Sequence, residues 1–281
     1  SRNYNTVMKI LYLGTAAYEG IPSLFCNCRV CTASRAAGGR NLRSRSQALV
    51  DGRLLLDFPP DTVWHSQRFG LDWNMIGNCL ITHSHSDHLY PEDIAMGRPD
   101  YCHGNRPMCY YAAEDGLRRI EKELGDTGVP MQGRITAQLV VPFEPFEVDG
   151  YRILPLPADH VPATSPVFYA IEKEGKRLLY AHDTGEFGQP VWEALKAFGR
   201  FDLVSLDCTG GGQQGWRQNH MCLKTDRAVA ARMRREGLAD RDTVFVANHF
   251  SHNGGCTHDE LCAIAEKYHF VVAYDGLEIE F

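Results

Sequence analysis

Short apolar runs alternate with turn-forming pairs along most of the chain. The run over 7–13 (Val-Met-Lys-Ile-Leu-Tyr-Leu) predicts a first strand closed by Gly14-Thr15. Residues 47–50 and 53–57 predict a hairpin joined by Asp51-Gly52, a pair that tolerates the positive φ of a tight turn. Pro59-Pro60-Asp61 opens a predicted helix over 62–69, and Cys79-Leu80-Ile81 predicts a buried strand. A helix is expected over 91–96, with proline at its start and acids in its first turn. Residues 107–112 predict a strand, and 114–124 a helix with Leu117, Ile120 and Leu124 on one face.

A second β-rich half begins at Gln138. It has predicted strands at 138–142, 145–148 and 151–156, then a hairpin of 167–172 and 177–181 around Glu174-Gly175. Helices are expected over 190–198 and 225–236, with strands over 201–206 and 243–247. Thr257-x-x-Glu260 is a capping box opening a helix to Tyr268, and strands over 269–273 and 277–281 close the chain. No repeat, low-complexity stretch or linker interrupts the order, so one domain spanning 1–281 is expected. Strands with helices, then the same again, fit two sheets packed between helical layers.

Composition narrows the classes. The 281 residues are 44% hydrophobic and carry net charge −6, with Lys+Arg 29 against Asp+Glu 35. Such a chain buries a sizeable core. Outside Arg40–Arg45 it lacks a basic run of the kind that grips nucleic acid, so a nucleic-acid partner is not expected. No apolar stretch approaches a membrane span, and Ser1-Arg2-Asn3-Tyr4-Asn5 has no signal-type apolar region. Ten cysteines without an export signal suggest free thiols and metal ligands in a reducing cytoplasm.

The chemistry concentrates in Thr82-His83-Ser84-His85-Ser86-Asp87-His88, directly after the 79–81 strand. Alternate side chains of an extended segment point the same way, so His83 and His85 can reach one ion together. Asp87 and His88, past the turn, can reach a second. Imidazole and carboxylate suit zinc, iron or manganese, and two ions roughly 3.5–4 Å apart make a hydrolytic site. Further ligands are expected where other strands end: His160, Asp183 and His249 each follow an apolar run by one to four residues. Asp57, Asp159 and Asp207 are candidates to fix imidazole tautomers. Cys26-Asn27-Cys28-Arg29-Val30-Cys31 has no helical or strand period and reads as a metal knuckle; its fourth ligand could be His252, Cys256 or His258. The polar stretch from Gly38 to Ser46 suits a phosphate-facing loop or a merely solvated one. His220, in a polar loop before the 225–236 helix, suits a substrate-binding or catalytic role as well as a helix-cap or surface role. His65, His103, His182, His258 and His269 are expected to be structural or on the surface.

The His83-x-His85-x-Asp87-His88 pattern resembles the signature of the metallo-β-lactamase superfamily, and Leu13-Gly14-Thr15 resembles its opening strand end. The resemblance implies an α+β fold, an αββα sandwich of two mixed sheets flanked by helices, with a dinuclear site along one edge. It implies His83, His85 and His160 on one metal, Asp87, His88 and His249 on the other, and Asp183 as a bridging carboxylate. A carboxylate there marks the hydrolases and phosphodiesterases of the superfamily, whereas the drug-degrading lactamases usually carry cysteine. Cys26, Cys28 and Cys31 with His249-Phe250-Ser251-His252 are similar to the cyclic-phosphate phosphodiesterases of phosphonate breakdown. That likeness implies a structural zinc on the three thiols and His252, two catalytic divalent metals (zinc or manganese), and catalytic roles for Asp87 and His220. It further implies a small phosphate-ester substrate and a possible homodimer. A tRNA-processing endonuclease, a thioester or lactone hydrolase, and a cofactor-biosynthesis protein share the same fold.

Overall fold

The computed structural model describes residues 6–281; the leader-free reading of residues 1–5 lies outside them. Two seven-stranded sheets face each other. The first contains β1 (Lys9–Gly14), β2 (Gln47–Val50), β3 (Leu54–Leu56), β4 (Asn78–Leu80), β5 (Met108–Ala112), β6 (Ile135–Leu139) and the last strand, β14 (Glu278–Glu280), in the order β14-β1-β2-β3-β4-β5-β6. The second contains β7 (Phe146–Val148), β8 (Tyr151–Pro157), β9 (Val167–Lys173), β10 (Lys176–Ala181), β11 (Leu203–Asp207), β12 (Val244–Asn248) and β13 (Phe270–Val272), in the order β13-β12-β11-β10-β9-β8-β7.

The two sheets share one pairing pattern. From β14 to β3 and from β7 to β10 neighbouring strands are antiparallel; from β3 to β6 and from β10 to β13 they are parallel. Helices α1 (Arg29–Ala37), α2 (Thr62–Phe69), α3 (Pro91–Ile94), α4 (Glu114–Asp126), α5 (Gln189–Phe198), α6 (Leu223–Arg235) and α7 (His258–Glu266), with four single-turn 3-10 helices, complete the described elements. This is the αββα sandwich of mixed sheets.

The strands hold together by burying their runs. Tyr12, Tyr151, Phe168, Tyr169, Tyr180 and Phe245 are fully buried in the largest core cluster, which also takes in residues of α5 and α6. A smaller core, with Leu13, Leu55, Phe58, Ile81, Leu89 and Ile120, lies against α4. Each such side chain contributes about 1.5–3 kcal/mol when taken from water. With both sheets fixed, the loops after β3, β4, β10, β11 and β12 converge, since parallel neighbours end on the same side.

Two expectations are corrected. The stretch read as lacking a helical period contains α1: Cys28 is its N-cap, accepting from the Cys31 N–H, and Cys31 lies in its first turn. Thiol caps are not among the strong start signals, which hid this helix. The strand expected at 138–142 is β6 at Ile135–Leu139, paired in parallel with β5; Pro142, without an N–H, cannot extend such a ladder.

Candidate functional site

The loop after β4 carries the first cluster. His83 Nε2 lies 3.1 Å from His85 Nδ1, which lies 3.2 Å from Nε2 of His160, from the loop after β8. These three nitrogens form one group able to hold an ion. Beside it, His88 Nε2 lies 3.2 Å from Asp87 Oδ2 and 3.3 Å from His249 Nε2, a second such group. Asp183 sits between them. Its Oδ2 is 2.7 Å from His88 Nε2 and 2.9 Å from His249 Nε2, and its Oδ1 is 3.6 Å from His160 Nε2. Yet Asp183 Oδ2 is buried and receives no hydrogen bond. A buried carboxylate oxygen surrounded by imidazole nitrogens that do not donate to it fits a cation between them. Burial opposes its ionisation, but His249, His88 and His83 hold the carboxyl well below the usual range.

Backbone strain marks the same positions. Asp57, Asp183 and His249, at the ends of β3, β10 and β12, have φ of 69°, 52° and 67°. Left-handed backbone at a non-glycine residue costs about 1–3 kcal/mol and clusters where function requires it.

Behind the imidazoles lie buried carboxylates. Asp57 Oδ2 is 2.6 Å from His88 Nδ1, and the Thr82 amide and hydroxyl donate to Asp57 at 2.7 and 2.9 Å. Asp207 accepts from the amides of Asp183, Thr209 and Met221 at 2.9, 3.0 and 3.0 Å. Its Oδ2 is also 3.1 Å from His220 Nδ1. Thr209 Oγ1, 2.8 Å from His249 Nδ1, joins the same network. Asp159, by contrast, has no hydrogen bond or ion pair with an imidazole among the described residues: it accepts from the Asn219 amide at 3.2 Å and so holds a loop.

His220 is half-buried at the mouth, its ring stacked near His249 and edge-on to His160. Burial disfavours its charge, but Asp207 and Asp183 outweigh that and raise its pKa to about 9. A cavity of about 480 Å³ opens over His85, Asp87, His160, Asp183, His220 and His249. Tyr18, Glu19, Trp216, Ser251 and Asn253 also line it. The sequence reading did not single out these five; they lie outside the strands and α-helices, without periodicity, and only the fold brings them to the mouth.

The thiols gather as well. Cys28 Sγ and Cys31 Sγ lie 3.5 and 3.3 Å from His252 Nδ1, and Cys26 completes the group. The two alternative fourth ligands are elsewhere: His258 Nδ1 faces Arg43 at 2.9 Å, and Cys256 packs by Gly212. The stretch from Gly38 to Ser46 divides: Gly39, Arg40 and Leu42 are exposed, as a solvated loop would be, and from Arg43 onward it turns inward. Arg43 is buried, donating to Ala273 O and Thr15 Oγ1, and Arg45 is paired with Asp61. His65 and His182 are buried structural histidines.

A family model described as "Beta-lactamase superfamily domain" matches residues 53–245. A protein named octanoyltransferase from Porphyromonas gingivalis (strain ATCC BAA-308 / W83) is 29% identical over 161 residues, 54% of this chain; the match spans 31% of that protein's length. Among solved structures, a diphosphatase from the PhnP family superposes with TM-score 0.75 at 22% identity, covering 98% of each chain. Zn(2+)-bound PqqB from Methylobacterium extorquens gives 0.73 at 21%, covering 96% of this chain and 99% of its own. The short form of human tRNase Z gives 0.65 at 16%, covering 96% and 98%. At these identities the structural matches establish the fold.

Proposed function

The chain belongs to the metallo-β-lactamase superfamily, and from that premise we propose that it is a dinuclear metal-dependent phosphodiesterase acting on a small, cyclic or otherwise compact, phosphate diester. The observation that carries this reading is Asp183 Oδ2, buried without a donor between His88 and His249, with a three-nitrogen group on its other flank. His83, His85 and His160 would hold one ion, Asp87, His88 and His249 the other, and Asp183 would bridge. Divalent ions in such a pair supply Lewis acidity that lowers a water's pKa toward neutral and offsets phosphoryl charge. Asp57 and Asp207 keep the distal nitrogens of His88 and His220 engaged, which fixes ring orientation. Among the described residues His220 makes its hydrogen bonds through Nδ1, so Nε2 would be available to protonate a leaving oxygen over the cavity. Asp87 also lines the cavity, where besides its ligand role it would accept a hydrogen bond from an attacking water.

Cys26, Cys28, Cys31 and His252 would hold a zinc that supports the fold. All ten cysteines are free, which supports a reducing, cytoplasmic setting. The net charge of −6 and the inward-turned arginines favour a small-molecule substrate over tRNA. We also propose that the chain forms a homodimer. Substituting Asp183→Ala should abolish hydrolysis of bis(p-nitrophenyl) phosphate and lower bound metal, with the circular dichroism spectrum unchanged. Normal turnover by that variant would overturn the reading.

A second reading, hydrolysis of an acyl thioester, is favoured by one observation, the match to part of an octanoyltransferase. Faster turnover of an octanoyl thioester than of the diester would select it.

A further inference from the structure

On the phosphodiesterase reading, we infer that the cavity mouth selects diesters carrying one negative charge and a flat, uncharged second substituent, through Trp216, Tyr18 and Glu19. None of the residues lining the cavity is Lys or Arg. Its three carboxylates are Asp87, Asp183 and Glu19. The first two belong to the proposed ligand set, where cations would offset them; Glu19 does not. Glu19 Oε1 accepts from Ser251 Oγ at 2.5 Å and lies 3.3 Å from His252 Nε2, while its Oε2 takes no hydrogen bond or ion pair among the described residues. With no Lys or Arg beside it and its Oε2 open, the Glu19 carboxylate repels a second phosphate on the substrate and accepts its hydroxyls, while the raised charge of His220 is already matched by Asp207 and Asp183.

Flatness is read by the aromatic pair. Trp216 is seated by design of the neighbouring backbone: a Cβ on Gly210 would come within 2.6 Å of the indole. A Cβ on Gly185 would strike the Arg217 carbonyl oxygen at 2.4 Å, so Gly185 lets this loop approach. Thr225 Oγ1 donates to Trp216 O at 2.7 Å and the Glu186 amide to Arg217 O at 2.9 Å. The indole is therefore held as a half-buried wall, with Tyr18 64% exposed on the same mouth. Such rings stack on a heterocycle of any sequence or type. The nearby guanidinium, Arg217, lines an adjoining cavity and is paired with Glu186 at 3.0 Å.

Three p-nitrophenyl diesters test this on the metal-loaded protein: methyl p-nitrophenyl phosphate, thymidine 5′-(p-nitrophenyl phosphate), and the latter with a 3′-phosphate. The thymidine ester should exceed the methyl ester in kcat/KM by about tenfold or more. The added phosphate should remove about tenfold or more of it. Trp216→Leu should collapse the thymidine-to-methyl ratio toward one. Glu19→Gln, which keeps a hydrogen-bonding group for Ser251, should restore most of the loss caused by the 3′-phosphate. Bound metal and melting temperature would be recorded for both variants. Ratios near one in the wild type, or ratios unchanged by both variants in folded, metal-loaded protein, overturn the inference while leaving the phosphodiesterase reading intact. Absence of turnover on all three esters overturns both.

Discussion

Asp207 is a hub at the residue scale. Its carboxylate collects three backbone amides and the His220 ring, and it is fully buried. Asp207→Asn keeps the size but replaces one acceptor oxygen by a donor that faces those same amides. Its kcat should fall about 10–100-fold and metal affinity similarly, as for other groups that orient ligands; unchanged kinetics and metal content would deny it that role. His65 tests the buried polar shell away from the proposed metals. It lies between Ser44 Oγ at 2.7 Å and Gln47 Oε1 at 2.6 Å. Burial is the main cause that lowers its pKa from 6.5 to about 4. The unfolded chain then binds the extra proton between those values, so this residue's contribution to stability is complete above about pH 6.5 and shrinks as pH falls toward 4. The loss amounts to about 3 kcal/mol at most. His65→Gln should flatten that part of the urea-unfolding profile; an unaltered slope would assign the acid lability to other groups.

Among the elements, β1 depends on an intimate backbone contact. An added Cβ at Gly14 would lie 1.9 Å from the Arg45 carbonyl oxygen, where the Thr15 and Ala16 amides donate to Ser44 O at 3.0 and 2.8 Å. Because the obstacle is backbone, nothing can swing aside. Gly14→Ala should cost about 1–3 kcal/mol or more, seen as a lower urea midpoint at constant slope. Wild-type stability in that variant would mean the strand has room to move. The hydrophobic pattern revealed most of these elements, because strands and helices each repeat at their own period. It failed for α1, where the cysteine cap and a mean hydropathy set by arginines and alanines hide the helix, and for β6, an edge strand with only Ile135 well buried.

At the scale of the whole molecule, two kinds of proposed metal centre differ in access. The seven-residue cluster lies under an open cavity, whereas the thiol cluster is held at the start of α1 against the segment after β12. Dialysis against a chelator should therefore strip two ions per chain with all activity before a third is lost, and zinc or manganese should restore turnover. Elemental analysis checks this; one ion or none in freshly purified protein would contradict it. The local spacing of His83, His85, Asp87 and His88 was enough to suggest a binuclear centre, because those four ligands lie within one loop. The strand-end placement of His160, Asp183 and His249 was legible too, since each follows an apolar run. What the linear order could not contain is their meeting. Asp183 stands between His88 and His249 because two sheets with the same pairing pattern face each other and end their parallel strands at one edge. Asp207 meets Asp183, Thr209 meets His249 and Glu19 meets Ser251 across 24, 40 and 232 residues, and packing of the two sheets, not local propensity, sets such contacts.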